Sequence, residues 1–264
     1  MRHYLMCYLI ILGPLLYGQE AINYFESFDK TNIAYTDEGS GTPVFLLHGF
    51  ISSGSSWDGT PLKKTLLGNG YRVIVPDMRG NGKSDHPHEP QAYENDAEVR
   101  DLIGLADHLE LESYDAIGYS RGAIVLAKLL VLDQRIGNAV MGGMGLDFTD
   151  PDWSRRIAFQ KAFSGEAVPN EMTAGAVNYA KSIGADLQIL GLLQQYQPVT
   201  SVEELQGITA NVLVIAGDQD HDNGSPGELA DALSRSTLTI VTGDHNGTYK
   251  TEPFANEILL FFDN

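Results

Sequence analysis

The stretch that decides the fold is YDAIGYSRG at residues 114–122, which leads directly into the apolar segment Ala123–Leu132. Tyr114–Gly118 is typical of a short buried strand, and Ala123–Leu132 is apolar almost all round, as in a helix packed under a sheet. Between them stands the pattern Gly-x-Ser-x-Gly, which places a serine on a sharp turn from strand to helix. Because flanking glycines relieve the crowding at such a turn, the pattern predicts an exposed nucleophile at Ser120.

Short apolar runs on both sides of this stretch predict the rest of a sheet. Several are apolar without interruption, such as VFLL at 44–47 and VLVIA at 212–216, which favours strands buried on both faces. The candidate strands besides the first are Ile22–Phe25, Asn32–Thr36, Val44–Leu47, Arg72–Pro76, Ala139–Met144, Val212–Ala216 and Thr237–Val241. Helical spacing of apolar residues at Asp96–Leu109 and Phe254–Phe262 completes the alternation. The pattern predicts an α/β fold: a mostly parallel, eight-stranded sheet with helices on both faces.

Residues 147–200 break this alternation, because no segment between them is typical of a strand. Helical patterns cover Trp153–Phe163, Glu171–Ser182 and Ala185–Gln195. The insertion follows the sixth strand and has too little apolar content to hold a core alone. We therefore expect a small helical cap over the site, within a single domain that spans residues 19–264.

Ser120 needs a base, and two histidines follow it in the sequence, His221 and His245. His245 lies in a loop directly after the last strand, at the edge where open α/β sheets bind their ligands. Asp220 follows the strand VLVIA and is the preferred acid, since the expected chain order is serine, acid, histidine. The predicted triad is Ser120, Asp220 and His245, with Asp218 and Asp222 as close alternatives and Asp147 as a distant one. His221 is expected to be a solvated loop residue.

Two backbone N–H groups are expected to form an oxyanion hole, which stabilises the negative charge of an acyl-transfer intermediate. One belongs to Arg121, the residue after the nucleophile, and the other to Phe50, in the loop after the strand VFLL. His48 in the same loop is an alternative base. We expect instead that its ring is hydrogen-bonded beneath the turn and holds the loop in shape.

The net charge limits which partners the protein can bind. The net charge of −18 would repel nucleic acid and anionic lipid surfaces, so neither is expected as a partner.

Residues 1–18 have a short basic start and an apolar run that is too short to span a membrane, which predicts a signal peptide and a periplasmic or secreted protein. Cys7, the single cysteine, lies in that segment, so the processed chain would have no disulfide. No stable membrane span is predicted, and the oligomeric state is left open.

The motifs together resemble the α/β-hydrolase superfamily, from about Asn32 to Phe262. The matching stretches are HGFISSGSSW at 48–57, DMRGNGKSD at 77–85, GYSRG at 118–122, GDQD at 217–220 and GDH at 243–245. The resemblance is to a branch with small esterases, carbon–carbon bond hydrolases, perhydrolases, epoxide hydrolases and haloalkane dehalogenases. The last two classes use an aspartate nucleophile at the elbow, and Ser120 argues against both. The resemblance implies that Asp77, Arg79, Gly80 and Ser84 shape a loop.

Arg121 is unusual for this pattern, since many members carry an apolar residue beside the nucleophile. The preferred interpretation is an ion pair with an acid of the cap or of a loop. The alternative is that Arg121 receives a carboxylate of the substrate.

The expected function is hydrolysis of a small, largely apolar carboxylic ester through an acyl-enzyme, with no metal and no cofactor. Carbon–carbon bond hydrolysis or perhydrolysis on the same triad, or ligand binding without catalysis, are the alternatives. A neutral His245 is needed, so activity should fall as the pH drops through the histidine range, which lies at about 6.5 in short peptides.

Overall fold

The computed structural model describes residues 21–263, and its centre is one eight-stranded sheet. The strands are β1 (Asn23–Glu26), β2 (Asn32–Gly39), β3 (Pro43–Leu47), β4 (Arg72–Pro76), β5 (Tyr114–Tyr119), β6 (Ile136–Gly142), β7 (Asn211–Gly217) and β8 (Ser236–Val241). All eight predicted strands are confirmed, with boundaries shifted by at most three residues. Their order across the sheet is β1-β2-β4-β3-β5-β6-β7-β8.

The strand pairing brings the functional loops to one edge. β1, β2 and β4 pair antiparallel, whereas every pairing from β4 through β3 to β8 is parallel. In this register Leu47 pairs with Gly118, Tyr119 with Gly142, and Gly217 with Val241. The last residues of β3, β5, β6, β7 and β8 therefore lie side by side. The loops that follow these strands meet at that edge.

Helices cover both faces of the sheet, as predicted. The α-helices are α1 (Pro61–Gly68), α2 (Ala97–His108), α3 (Arg121–Leu132), α4 (Ser154–Ser164), α5 (Ala174–Ser182), α6 (Leu187–Gln195), α7 (Val202–Gln206), α8 (Pro226–Ala232) and α9 (Glu252–Phe262). One apolar cluster joins α2, α3 and α8 to the sheet, and a second joins α1 and α9 to its other face. The sequence interpretation missed α1, α7 and α8, which are at most eight residues long and show too few turns for a clear apolar period.

The cap consists of α4, α5 and α6, which lie between β6 and α7. Its helices pack on one another through an apolar cluster of their own that includes Phe159, Phe163 and Leu190. The edge-on contact of Phe50 with Phe163, with ring centroids 5.3 Å apart, joins the cap to the loop after β3. The cap is thereby held over the edge of the sheet where the functional loops meet.

The predicted signal peptide, residues 1–18 with Cys7, lies outside the described residues and stays a prediction. Within 21–263, no helix combines the length and apolar character that crossing a membrane would require.

Candidate active site

Ser120 stands on a strained turn between β5 and α3. Its backbone has φ 54° and ψ −123°, a conformation that is costly for a residue with a side chain. The Ser120 N–H donates to the carbonyl of Gly142 at 2.8 Å, which ties the turn to β6.

The two glycines of the motif are required by contacts with backbone carbonyls. A Cβ on Gly118 would lie 2.3 Å from the Gly122 oxygen, and a Cβ on Gly122 would lie 2.3 Å from the Leu47 oxygen. Both distances are far below van der Waals contact, and a backbone atom cannot move aside as a flexible side chain can. Sterics therefore explain the Gly-x-Ser-x-Gly pattern at this turn.

His245 reaches Ser120 from the loop after β8. Its Nε2 lies 2.9 Å from the Ser120 Oγ. The Tyr119 hydroxyl donates to the His245 carbonyl at 2.8 Å, so the residue before the serine also fixes the backbone of the histidine. Burial raises the pKa of Tyr119, which keeps this hydroxyl a donor.

Asp220 is the acid that contacts His245. Its Oδ2 lies 2.8 Å from His245 Nδ1, and its carboxylate is almost completely buried. Asp218 instead accepts the N–H of Gly243 at 3.0 Å and so braces the histidine loop. Asp222 is exposed, and its carboxylate lies 3.9 Å from the Arg155 guanidinium. Of the acids considered from the sequence, Asp220 is the one that the structure brings to His245.

These contacts define a relay of hydrogen bonds. With Nδ1–H donated to Asp220, the Nε2 atom of His245 carries a lone pair and can accept the hydroxyl proton of Ser120. Asn223 lies beside this pair, with its Nδ2 3.4 Å from His245 Nδ1 and 3.3 Å from the Gly143 carbonyl.

The two predicted oxyanion donors adjoin Ser120. Phe50 and Arg121 line the same cavity as the serine, and Arg121 is the first residue of α3, where N–H groups lack helical partners. Among residues 21–263, no carbonyl accepts a hydrogen bond from the Phe50 N–H. Gly49 lies next to the nucleophile, since a Cβ built on it would be in van der Waals contact with the Ser120 Cβ, at 3.5 Å.

The Arg121 side chain makes a buried ion pair. Its two terminal nitrogens each lie 2.6 Å from a carboxylate oxygen of Glu98, and one also donates to the Leu193 carbonyl at 2.8 Å. The expected ion pair is present, but the acid belongs to α2, and the cap contributes a carbonyl oxygen instead. The guanidinium is occupied by Glu98, which disfavours its direct use for a substrate carboxylate.

His48 has the position expected of a structural residue. Its Nδ1 donates to the Gly49 carbonyl at 2.9 Å, and its Nε2 accepts the Met78 N–H at 3.1 Å. Burial lowers the pKa of His48, which keeps the ring neutral as these bonds require. His221 is exposed and makes no contact with Ser120 in the described structure.

Asp77 and Arg79 make contacts that hold the loop at 77–85 in shape, as the resemblance implies. Asp77 accepts the N–H groups of Gly54 and Lys83, both at 2.7 Å. The fully buried Arg79 pairs with Asp29 and Asp101.

In the part of the chain that the structure describes, Ser120 lines two small cavities. One of about 90 Å³ lies on the side of Trp57 and Tyr249. The other, of about 70 Å³, lies beneath the cap and is called the cap cavity here. It is lined by Phe50, Ser120, Arg121, Ile124, Met144, Trp153, Arg155, Arg156, Phe159, Gln194, Gln197, Asn223 and His245.

The sequence interpretation missed Glu98, Asn223, Arg156 and Gln197. Glu98 carries no local signal for its role, since it looks like an ordinary acid in the first turn of a helix. Arg156 and Gln197 fall in the cap, where no motif fixes which side chains face inward. Within the described part of the chain, no group of three His, Cys, Asp or Glu side chains could hold a metal ion.

Comparison with known proteins gives the same fold. The family model of the alpha/beta hydrolase fold matches residues 42–161. The chain is 36% identical over 121 residues to a 2-hydroxymuconate semialdehyde hydrolase of a Pseudomonas species, covering 45% of this chain and 42% of that one. It is also 36% identical over 117 residues to a non-heme chloroperoxidase of Streptomyces lividans, covering 43% and 41%.

A solved esterase of Exiguobacterium antarcticum superposes with a TM-score of 0.73 at 21% identity, over 91% of this chain and 99% of the esterase. At that identity the likeness shows the fold. The chain matches less than half the length of the curated relatives, so their activities are theirs and not established for this protein.

Proposed function

The chain belongs to the α/β-hydrolase superfamily, and we propose that it is a serine hydrolase that cleaves a small carboxylic ester through an acyl-enzyme. The observation that carries the proposal is the relay from Ser120 Oγ through His245 to Asp220, with contacts of 2.9 and 2.8 Å. Such a relay of hydrogen bonds activates a hydroxyl that is otherwise a weak nucleophile.

In the first stage, Ser120 Oγ attacks the ester carbonyl carbon while His245 Nε2 takes its proton. Negative charge develops on the carbonyl oxygen, and the N–H groups of Phe50 and Arg121 stabilise it; each such donor contributes about 3–4 kcal/mol in comparable sites. The intermediate collapses, His245 returns the proton to the leaving alcohol, and the acyl group stays on Ser120.

In the second stage, water attacks the acyl carbon and His245 again accepts the proton. Collapse releases the carboxylic acid and restores the Ser120 hydroxyl. Asp220 keeps the imidazole in the required tautomer and stabilises its positive charge during both stages.

A change of reaction on the same residues is the second candidate. It is favoured by the names of two relatives, a carbon–carbon bond hydrolase and a chloroperoxidase. Epoxide hydrolases are also among the relatives, but this chain has a serine at the elbow, which argues against that chemistry. A ligand-binding protein without catalysis would have no use for the complete relay.

The test is hydrolysis of p-nitrophenyl esters of graded acyl length by the wild type and by Ser120→Ala. We expect turnover by the wild type and a loss of at least about 10⁴-fold in the variant. Equal rates for the two proteins would contradict the proposal. A halide-dependent peroxidation assay, run on both proteins, separates perhydrolysis from plain hydrolysis.

A further inference from the structure

The cap cavity is lined by both apolar and polar side chains. Apolar side chains lining it are Phe50, Ile124, Met144, Trp153 and Phe159. The polar lining comes from the cap and from the loop after β7: Arg155, Arg156, Gln194, Gln197 and Asn223. The cap's apolar residues mostly pack on one another, so its inner face is more polar than its composition indicates.

Among residues 21–263, three hydrogen-bond donors on side chains of this lining have no partner. They are the Nε of Arg121, the Nε of Arg156 and the Nε2 of Gln197, and each atom is buried. The side chains of Arg121 and Gln197 are more than nine-tenths buried. A buried donor without an acceptor costs free energy, and native proteins rarely keep one without a reason. Three such donors belong to residues that line one cavity, which favours an acceptor supplied from outside the chain.

The charge of the same lining favours an anion. Glu98 balances the charge of Arg121, but Arg156 contacts carbonyl oxygens only: those of Gln194 at 3.2 Å, Gln195 at 3.4 Å, and Pro151. Within residues 21–263, no carboxylate forms a salt bridge with Arg156. This uncompensated cation lines the same cavity as Ser120, in a chain whose net charge is −18.

We infer that the substrate carries a carboxylate, or a similar anionic group, which Arg156 and Gln197 bind in the cap cavity. The inference rests on the proposed function and specifies its substrate: a short apolar stem that ends in an anion. A cavity of about 70 Å³ admits only a few atoms between the reacting carbonyl and that end. Arg156 and Gln197 are thus specificity residues, separate from the relay that activates Ser120.

Arg156 also holds carbonyls at the end of α6, so its removal can loosen the cap. The informative measurement is therefore a preference between two matched substrates, because a loosened cap would reduce the rates with both. In monomethyl succinate a carboxylate replaces the terminal methyl of methyl butyrate. The pair of 3-acetoxypropanoate and propyl acetate makes the same exchange on the alcohol side.

NMR detection of the released alcohol gives kcat/KM for all four esters. In the wild type, we expect at least one acid-bearing ester to exceed its neutral match by about tenfold or more, the effect typical of a charged hydrogen bond. Arg156→Gln should remove most of this ratio, whereas Arg156→Lys should keep part of it. Arg235→Gln is the matched control, since it removes one charge from an exposed site at the opposite edge of the sheet and should leave the ratio unchanged.

Neutral esters that react as well as acid-bearing ones in both pairs would overturn the inference and leave the proposed function intact. Absence of turnover with all four esters and with the p-nitrophenyl series would instead remove the proposed function. NMR titration of Ser120→Ala with monomethyl succinate and with methyl butyrate then decides the inference by itself. Tighter binding of the acid-bearing ester supports the anion site, and equal binding contradicts it.

Discussion

The turn around Ser120 and the cap above it are held by different kinds of contact. At the turn, backbone carbonyls lie so close to Gly118 and Gly122 that a Cβ does not fit at either position, so few sequences can adopt this backbone conformation. In the cap, apolar side chains pack on one another, and an added Cβ on Gly175 in α5 would meet nothing within 4 Å. Under the proposed function, the turn would fix the position of the nucleophile, and the inward-facing side chains of the cap would be free to select the substrate.

The Arg121–Glu98 pair joins the two regions. It ties the first residue of α3 to α2 on one side and to the Leu193 carbonyl of the cap on the other. Changes at the turn should therefore affect catalysis strongly, and changes in the cap should affect selectivity or stability by smaller amounts.

Asp220→Asn should have the largest effect among the following substitutions. Asparagine leaves the shape intact but favours the wrong tautomer of His245, and the comparable change in serine proteases lowers kcat by about 10⁴-fold. Steady-state kinetics on a p-nitrophenyl ester measures it. Asp222→Asn, at an exposed alternative acid, is the control and should stay within about threefold of the wild type. A larger loss at Asp222 than at Asp220 would refute the assigned acid.

Glu98→Gln tests the link between the two regions. It leaves the buried Arg121 guanidinium without a counter-charge, and breaking such a pair typically costs about 3–5 kcal/mol. Urea unfolding should show this loss in the free energy of unfolding. Glu112→Gln, at an exposed acid, should change it by less than about 0.5 kcal/mol. Similar stabilities of the two variants would show that the ion pair is not needed to hold α3 against α2.

A pair of glycine-to-alanine changes compares the regions directly. Gly122→Ala places a Cβ against the Leu47 carbonyl and should destabilise the protein by about 3 kcal/mol, with loss of activity. Gly175→Ala, in open space within α5, should instead raise the free energy of unfolding by about 0.5–1 kcal/mol. Denaturant unfolding and ester hydrolysis measure both. A harmless Gly122→Ala would contradict the steric account of the turn.

The smallest expected effect concerns acid stability. Burial lowers the pKa of His48 in the folded state, so the unfolded chain binds the proton first, at about pH 6.5. The stabilisation that comes from the neutral His48 ring is complete above that pH. It is lost as the pH falls toward the pKa of His48 in the folded protein. Between pH 7 and pH 5.5, the wild type should lose about 1 kcal/mol more stability than His48→Gln. Parallel pH curves for the two proteins would show that the buried ring does not limit acid stability.

The sequence predicted the sheet and the turn around Ser120 more completely than it predicted the inner surface of the cap. The eight strands and the meeting of Ser120, Asp220 and His245 follow from continuous apolar runs and from motifs at strand ends, because parallel strands bring those ends together. The helices of the cap were also predicted, but the inward direction of Arg156 and Gln197 was not. That direction depends on how three helices pack, which no local pattern encodes.

Glu98 shows a second limit. It lies 23 residues before Arg121 in the chain, and the two meet only because α2 and α3 pack on the same face of the sheet. Periodicity places a helix, but it does not tell which buried acid faces which buried base. Asp218, Asp220 and Asp222 illustrate the same limit. All three follow the same strand, and only the loop geometry shows which of them contacts His245.

Covalent labelling with a fluorophosphonate, followed by peptide mass spectrometry, tests directly whether Ser120 is an activated nucleophile. We expect one adduct, on Ser120, which is absent in Ser120→Ala and forms much more slowly in His245→Ala. A folded wild-type protein that forms no adduct, or that is labelled at another residue in both the wild type and Ser120→Ala, would contradict the claim that Ser120 is an activated nucleophile.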